Sequence, residues 1–126
     1  MIKQLNLGQK IARYSDIKRA KIAAIAFSRS GRIIASAHNR RLEESHKTDK
    51  KTQKKWTQHA EEVLIHKLNR IKAWDRFKNI QILVIRINSE GITMAKPCKR
   101  CQKLLKLYPI KIFFTNKTGQ IQYLEN

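Results

Sequence analysis

Two short clusters constrain this chain more than anything else in it: Gln58-His59-Ala60-Glu61 and, far along the chain, Lys96-Pro97-Cys98-Lys99-Arg100-Cys101. Each opens a segment with helical apolar spacing. Cys98 and Cys101, at i and i+3, share one face of a first helical turn, and Pro97 is placed at or just before its first position. Unpaired backbone N–H groups and the helix macrodipole favour thiolate over thiol there, which helps a metal bind at neutral pH. His59 and Glu61, two apart, face different sides of a regular helix, yet at its first turn both can border one pocket. One imidazole and two thiolates leave the fourth tetrahedral position of Zn²⁺ open, which is the composition of a catalytic site; a structural site is usually closed by four protein ligands. His59, Cys98 and Cys101 are therefore read as the ligands of one zinc ion per chain.

The order His-x-Glu followed by Pro-Cys-x-x-Cys resembles the signature of the zinc-dependent cytidine/deoxycytidylate deaminase superfamily. The resemblance rests on His59, Glu61, Pro97, Cys98 and Cys101 and extends over nearly the whole chain. It implies hydrolytic deamination, with cytosine preferred to adenine on the resemblance alone. Cytosine C4 is a weak electrophile and water a weak nucleophile, so such an enzyme needs a metal that activates water and a group that moves protons. The resemblance gives the second task to Glu61. Two ordinary thiols and a chance His-Ala-Glu would be the bland account of either cluster alone. The right order, the Pro before the first Cys and a helix start at each half argue for the compound motif.

At 126 residues the sequence is read as one deaminase-like domain spanning 1–126, long enough to bury a core without disulfides. Both cysteines are taken by the motif, so a reducing, cytoplasmic setting is expected. No segment has the apolar length of a signal peptide or a membrane span, and no membrane partner is expected. The charge is the second strong fact: 28 Lys and Arg against nine Asp and Glu, a formal net charge of +19. A domain this basic usually meets phosphate. Codon bias explains Lys over Arg but not the shortage of acids.

Along the chain, Ile2 to Arg13 reads as a first helix, with Ile2, Leu5, Gln9 and Ala12 near helical spacing and Leu7 and Ile11 beside them. Lys21 to Phe27 and Arg32 to Ala37 read as two strands of a hairpin around Ser28-Arg29-Ser30-Gly31. Next comes His38-Asn39-Arg40. By resemblance Asn39 would contact the sugar of a bound nucleotide, with Arg40 a further substrate contact; an Asn after a strand also commonly bonds local backbone. Free-nucleoside members usually show Asn-x-Glu here, whereas this chain reads Asn39-Arg40-Arg41, which argues against a plain nucleoside.

Leu42 to Thr57 carries Lys47, Lys50, Lys51, Lys54 and Lys55 and ends near Trp56. If helical, these lysines form one basic stripe leading to His59. They are candidate phosphate contacts, and Trp56 a candidate substrate contact or lid, although a charge run is as often a solvated loop. A helix with Leu64, Ile65, Leu68 and Ile71 on one face then leads to Trp74 and Phe77 near its end. Ile80 to Ile87 reads as a central strand, closed by the turn Asn88-Ser89-Glu90-Gly91. The helix begun at Pro97 runs through Tyr108 to Pro109, and Ile110 to Thr115 and Ile121 to Tyr123 follow as an antiparallel hairpin. That hairpin resembles nucleoside-deaminase and some nucleic-acid-editing branches.

The expected architecture is a three-layer α-β-α sandwich of the cytidine-deaminase kind: about five strands in a mixed sheet, both metal-bearing helices on one face, the first helix on the other. The expected function is zinc-dependent conversion of cytosine to uracil in a phosphate-bearing substrate, with single-stranded DNA or RNA favoured by the charge. Free-nucleotide (CMP or dCMP) or nucleoside deamination is one alternative; a non-catalytic zinc-containing nucleic-acid-binding module is another, opposed by the intact Glu61. The resemblance also admits a homo-oligomer, which strong self-repulsion at this charge would oppose.

Overall fold

The computed structural model describes residues 1–18, 20–41 and 57–125. Lys47, Lys50, Lys51, Lys54, Lys55 and Trp56 lie outside them. Helix α1 (Ile2–Ala12) precedes the hairpin β1 (Lys21–Phe27) and β2 (Ile33–His38); a short ribbon then pairs β3 (Arg40–Arg41) with β4 (Thr57–Gln58). Helix α2 (Ala60–Arg70), the single turn α3 (Ala73–Arg76), strands β5 (Gln81–Asn88) and β6 (Gly91–Thr93), helix α4 (Lys99–Leu105) and strands β7 (Lys111–Thr115) and β8 (Ile121–Tyr123) follow.

The main sheet runs β2-β1-β5-β7-β8, with β6 also paired to β5. β5 and β7 are parallel, the crossover between them carrying α4, and the other pairs are antiparallel, including the C-terminal hairpin. The mixed α-β-α sandwich read from the sequence is the observed fold. β6 is an addition: the chain does turn at Asn88-Ser89-Glu90-Gly91, but it folds back along β5, with Asn88 opposite Gly91 and Gly91 at φ 122° supplying a left-handed conformation that a side chain would resist.

Each sheet face has its own apolar cluster. One holds Ala24, Ala26, Ile82, Val84, Ile112 and Phe114 under Leu64, Leu68 and Leu105 of α2 and α4. The other holds Ile25, Phe27, Leu83 and Ile85 against Leu5, Leu7 and Ile11 of α1. Strand β1 can be so rich in Ala because both its faces are covered, and Ala23, Ala24 and Ala26 are wholly buried.

Two helices depart from their expected extents. The expected long helix ends at Arg70, because Lys72 adopts a left-handed backbone at φ 55°. Trp74 then belongs to α3, stacking on Tyr108 at 4.8 Å while its indole N–H donates to Asn69 Oδ1 at 2.7 Å. The last helix ends at Leu105 and reaches Tyr108 only through turns.

Helix α1 covers the sheet as expected, with Ala12 buried and Leu5, Leu7 and Ile11 packed on the core, but its first apolar position is not used. Ile2 is exposed, and the fully covered positions are Gln4, Gly8 and Ala12. Small residues let α1 lie close to the sheet: a Cβ placed on Gly8 would stand 1.6 Å from Ile85 Cδ1 and 3.0 Å from Cγ1. Gln4 meanwhile donates to the carbonyl of Gly31 at 2.8 Å, tying α1 to the β1–β2 turn. Gly8→Val should therefore lower stability by about 1–3 kcal/mol through overpacking. Urea unfolding would show this as a lower midpoint at unchanged slope, and an unchanged midpoint would mean that α1 is not seated on Ile85.

Candidate active site

His59 and Cys98 occupy the same structural position on different helices: each is the residue just before the first turn, His59 for α2 at φ −72°, ψ 149° and Cys98 for α4 at φ −67°, ψ 165°. That extended backbone directs both side chains across the helix ends. His59 Nδ1 lies 3.2 Å from Cys101 Sγ and 3.7 Å from Cys98 Sγ, and the ligand atoms of all three residues fall within 4.8 Å of one another. The Cys101 N–H also points to Cys98 Sγ at 3.5 Å, as an N-cap contact does. A tetrahedral zinc with ordinary Zn–N and Zn–S bonds needs N···S edges of about 3.5 Å, so this donor set fits such an ion in both chemistry and spacing. Three donors leave one coordination position for a small molecule.

Glu61 is 4% exposed, in the first turn of α2 beside this cluster. Burial, and then the neighbouring Glu62, push its carboxyl up from the usual range, while its own backbone N–H, a hydrogen bond from Cys101 and the Arg100 charge pull it down. Burial also lowers His59, with Arg100 adding to the effect, so the imidazole is favoured neutral, the form in which it can bind a metal. The Cys101 thiol is raised by burial first and by Glu61 second. A divalent cation between these groups reverses the sign of that field and favours the thiolate.

Glu62 and Arg100 are not defining residues of the motif and join the site through the fold. Glu62 Oε1 accepts from the His59 backbone N–H at 3.2 Å and from Arg100 Nη2 at 2.6 Å. One carboxylate thus joins the start of α2 to the start of α4. Arg100 is exposed and Glu62 partly so, which leaves the ion pair worth roughly 0–1 kcal/mol and acting mainly on geometry. The signal was present as a cap followed three residues later by Glu, but His is not a usual cap residue. Thr115 was likewise missed: it is fully buried, its hydroxyl donates to the Thr93 carbonyl at 2.7 Å, and its own carbonyl accepts from Ala95 N–H at 2.8 Å. These bonds anchor the strand that leads into Pro97 and Cys98.

Asn39 is 5% exposed, and its amide is engaged with β1: Oδ1 accepts from Ile22 N–H at 3.0 Å and Nδ2 donates to the Ala20 carbonyl. Arg40 is exposed on the β3–β4 ribbon, where its Nε donates to Gln58 Oε1 at 3.0 Å, one residue before His59. Of the residues expected to form the site, the structure brings His59, Glu61, Cys98 and Cys101 together, places Asn39 under the adjoining strand ends and leaves Arg40 at the rim.

Residues 3–116 match the family described as the cytidine and deoxycytidylate deaminase zinc-binding region. No match was found among curated proteins. The fold is similar to that of the dCMP deaminase from the cyanophage S-TIM5 in apo form, with TM-score 0.64 and 20% identity over 93% of this chain and 82% of that one. The same phage enzyme in complex with dCMP and dUMP gives TM-score 0.61 and 19% identity over 91% and 79%. Cytidine deaminase from Burkholderia pseudomallei gives TM-score 0.64 at 11% identity over 98% and 91%.

Cys98 is exposed, so its removal should test the metal without disturbing the core. Cys98→Ala is expected to lose zinc, from about one ion per chain to background, with far-UV circular dichroism retained. Elemental analysis of purified protein decides this; full zinc content in a Cys98→Ala, Cys101→Ala double variant would remove the site.

Proposed function

The chain belongs to the cytidine and deoxycytidylate deaminase zinc-binding family, whose members are zinc-dependent hydrolases, and from that premise we propose that it deaminates cytosine in a phosphate-bearing substrate. The observation that carries the chemistry is the convergence of His59, Cys98 and Cys101 on one point, with buried Glu61 beside it. We take His59 Nδ1 and the two thiolates as the zinc ligands and the whole chain as one deaminase domain. When bound, zinc supplies Lewis-acid activation of water at neutral pH. Glu61 then does the proton work: its carboxylate takes a proton as water oxygen bonds to cytosine C4, delivers it to ring N3, and assists departure of the C4 amine as ammonia. A near-enclosed carboxyl suits this, since burial brings the two protonation states closer in energy than they are in water. Free thiols at the centre favour a reducing compartment; no helix among the described residues is long and apolar enough to cross a membrane.

Charge supports the phosphate. Basic side chains border both layers of the described fold: Lys3 and Lys10 on α1 with Arg13 just after it, and Lys99, Arg100, Lys103 and Lys106 on or beside α4. Together with the net charge of +19 they favour a polyanion, so single-stranded nucleic acid is the first reading. The fold shared with a phage dCMP deaminase solved with dCMP and dUMP favours a free nucleotide as the second.

Glu61→Gln should keep zinc and fold while lowering deamination at least about a hundredfold, the lower end of what a positioned acid-base group contributes. Near-normal turnover in a folded, zinc-loaded variant would take Glu61 out of the mechanism. The two substrate readings separate by salt. Each phosphate neutralised on a single strand adds about 0.7 to the slope of log affinity against log salt, so an oligonucleotide should give a slope steeper than about −2 and dCMP a shallow one. Undetectable oligonucleotide binding at low salt, with ready turnover of dCMP, would select the free nucleotide.

A further inference from the structure

Arg86 stands in β5 two residues beyond Val84, on the sheet face that carries α2 and α4. The register is unbroken there: Val84 lies opposite Ala24 and Arg86 opposite Ile22 on β1, while on its other side Arg86 pairs with Thr93 of β6. Side chains alternate between faces along a strand, and Ile82 and Val84 belong to the cluster beneath α2 and α4, whereas Leu83 and Ile85 belong to the α1 side. Arg86 is the next residue in the first series, one pleat closer to the strand's carboxyl end. It is toward that end that Asn39, Ala95 and the starts of α2 and α4 lie.

The nearest polar backbone is already used. Ile22 N–H is bound by Asn39 Oδ1, and the Thr93 carbonyl by the Thr115 hydroxyl. Arg86 Nε is buried and has no hydrogen-bond partner, which is true of no other buried side-chain nitrogen or oxygen among the described residues. The ion pair found among those residues is Arg100 with Glu62, so no described carboxylate neutralises Arg86. A buried guanidinium donor left unpaired is costly, and natural folds keep one where an acceptor from outside the chain completes it. A planar fork of donors matches the oxygens of phosphate better than it matches a single carbonyl.

We propose that Arg86 is the receptor for the phosphate of the target nucleotide, which makes it the specificity residue that separates nucleotide from nucleoside at the zinc site. This rests on the reading of the chain as a deaminase of phosphate-bearing cytosine, and it holds whether that phosphate belongs to a mononucleotide or to the 5′ side of a nucleotide within a strand. Lys should replace Arg86 only in part, because an ammonium keeps the charge but lacks the fork.

The test compares the zinc-loaded wild type with Arg86→Gln and Arg86→Lys, using dCMP against deoxycytidine in turnover and dUMP against deoxyuridine in calorimetric binding. The expected result is a fall of at least about thirtyfold in the ratio of kcat/KM for dCMP to that for deoxycytidine in Arg86→Gln, as loss of a charge-assisted contact implies, with Arg86→Lys in between. The affinity ratio of dUMP to deoxyuridine should fall in parallel. Equal losses for nucleotide and nucleoside would assign Arg86 to the base, the sugar or the fold and overturn the proposal, as would an unchanged ratio. If the wild type turns over neither compound, the deaminase reading has failed for these substrates, and the dUMP to deoxyuridine binding ratio decides Arg86 separately. A wild type that binds the two alike also overturns it. Should Arg86→Gln not fold, Arg86→Lys carries the same comparison.

Discussion

The direction of the strands governs everything else in this molecule. β1 lies between β2 and β5 and runs antiparallel to both, so β2 and β5 point the same way, and β7 joins β5 in parallel. α2 follows β2 by way of the β3–β4 ribbon and α4 follows β5 by way of the short β6, and both helices begin at the same end of the sheet, the carboxyl ends of β2 and β5, where open α/β sheets characteristically bind ligands. That is how His59 and Cys98, far apart in the chain, come within 3.7 Å of each other. A β5–β7 pairing of the opposite sense would need no crossover, and α4 would have no reason to cross the face beside α2.

Convergence of two helix starts has an electrostatic consequence. Each terminus presents unpaired N–H groups and a partial positive charge, which favours anionic groups placed there. The chain fills both termini with such groups: Glu61 and Glu62 in the first turn of α2, Cys98 and Cys101 around the first turn of α4. Burial raises both Glu61 and Cys101, and the neighbouring Glu61 charge raises Cys101 further, whereas the hydrogen bond from Cys101 pulls Glu61 back down. Arg100 relieves part of this from the outside by holding Glu62 at the rim. A divalent cation relieves the rest at the centre, so the fold is arranged to be completed by metal and not merely to tolerate it.

How much of this was readable follows from what each signal depends on. The zinc cluster was legible because ligand chemistry demands particular residue types at particular spacings, and the sheet because β1 and β5 are continuous apolar runs that only a doubly covered strand explains. Helix α1 and its apolar side are legible in the spacing of Leu5, Leu7, Ile11 and Ala12, but its closest contact is not: that depends on Gly8 allowing an approach to Ile85, a tertiary fact with no periodic signature. β6 was hidden because a strand of three residues, Gly91–Thr93, resembles the end of a turn. Glu62, Thr115 and Arg86 act through partners that are distant in sequence. Their identities were visible, but their neighbours were not.

The distribution of charge separates two tasks that a site for an anionic substrate must reconcile. A strongly positive centre would attract phosphate but would also hold Glu61 ionised and pull it away from proton transfer. Here the centre is built from one buried carboxyl, two thiols and a histidine favoured neutral, so that a bound divalent cation would be largely balanced by its own ligands. Among the described residues, exposed basic side chains lie on the surface of α1, α2 and α4 and on the β3–β4 ribbon, where they contribute to a long-range field screened over about 8 Å at physiological salt. Such a field raises the rate of encounter with phosphate, and of these surface cations Arg100 also reaches the centre, lowering both His59 and Glu61. Arg86 differs from these in that its Nε is buried without a hydrogen-bond partner and no described acid pairs with it. A buried, unpaired donor costs least where its partner arrives with the substrate, because its desolvation is then compensated in the complex, where it contributes to selection.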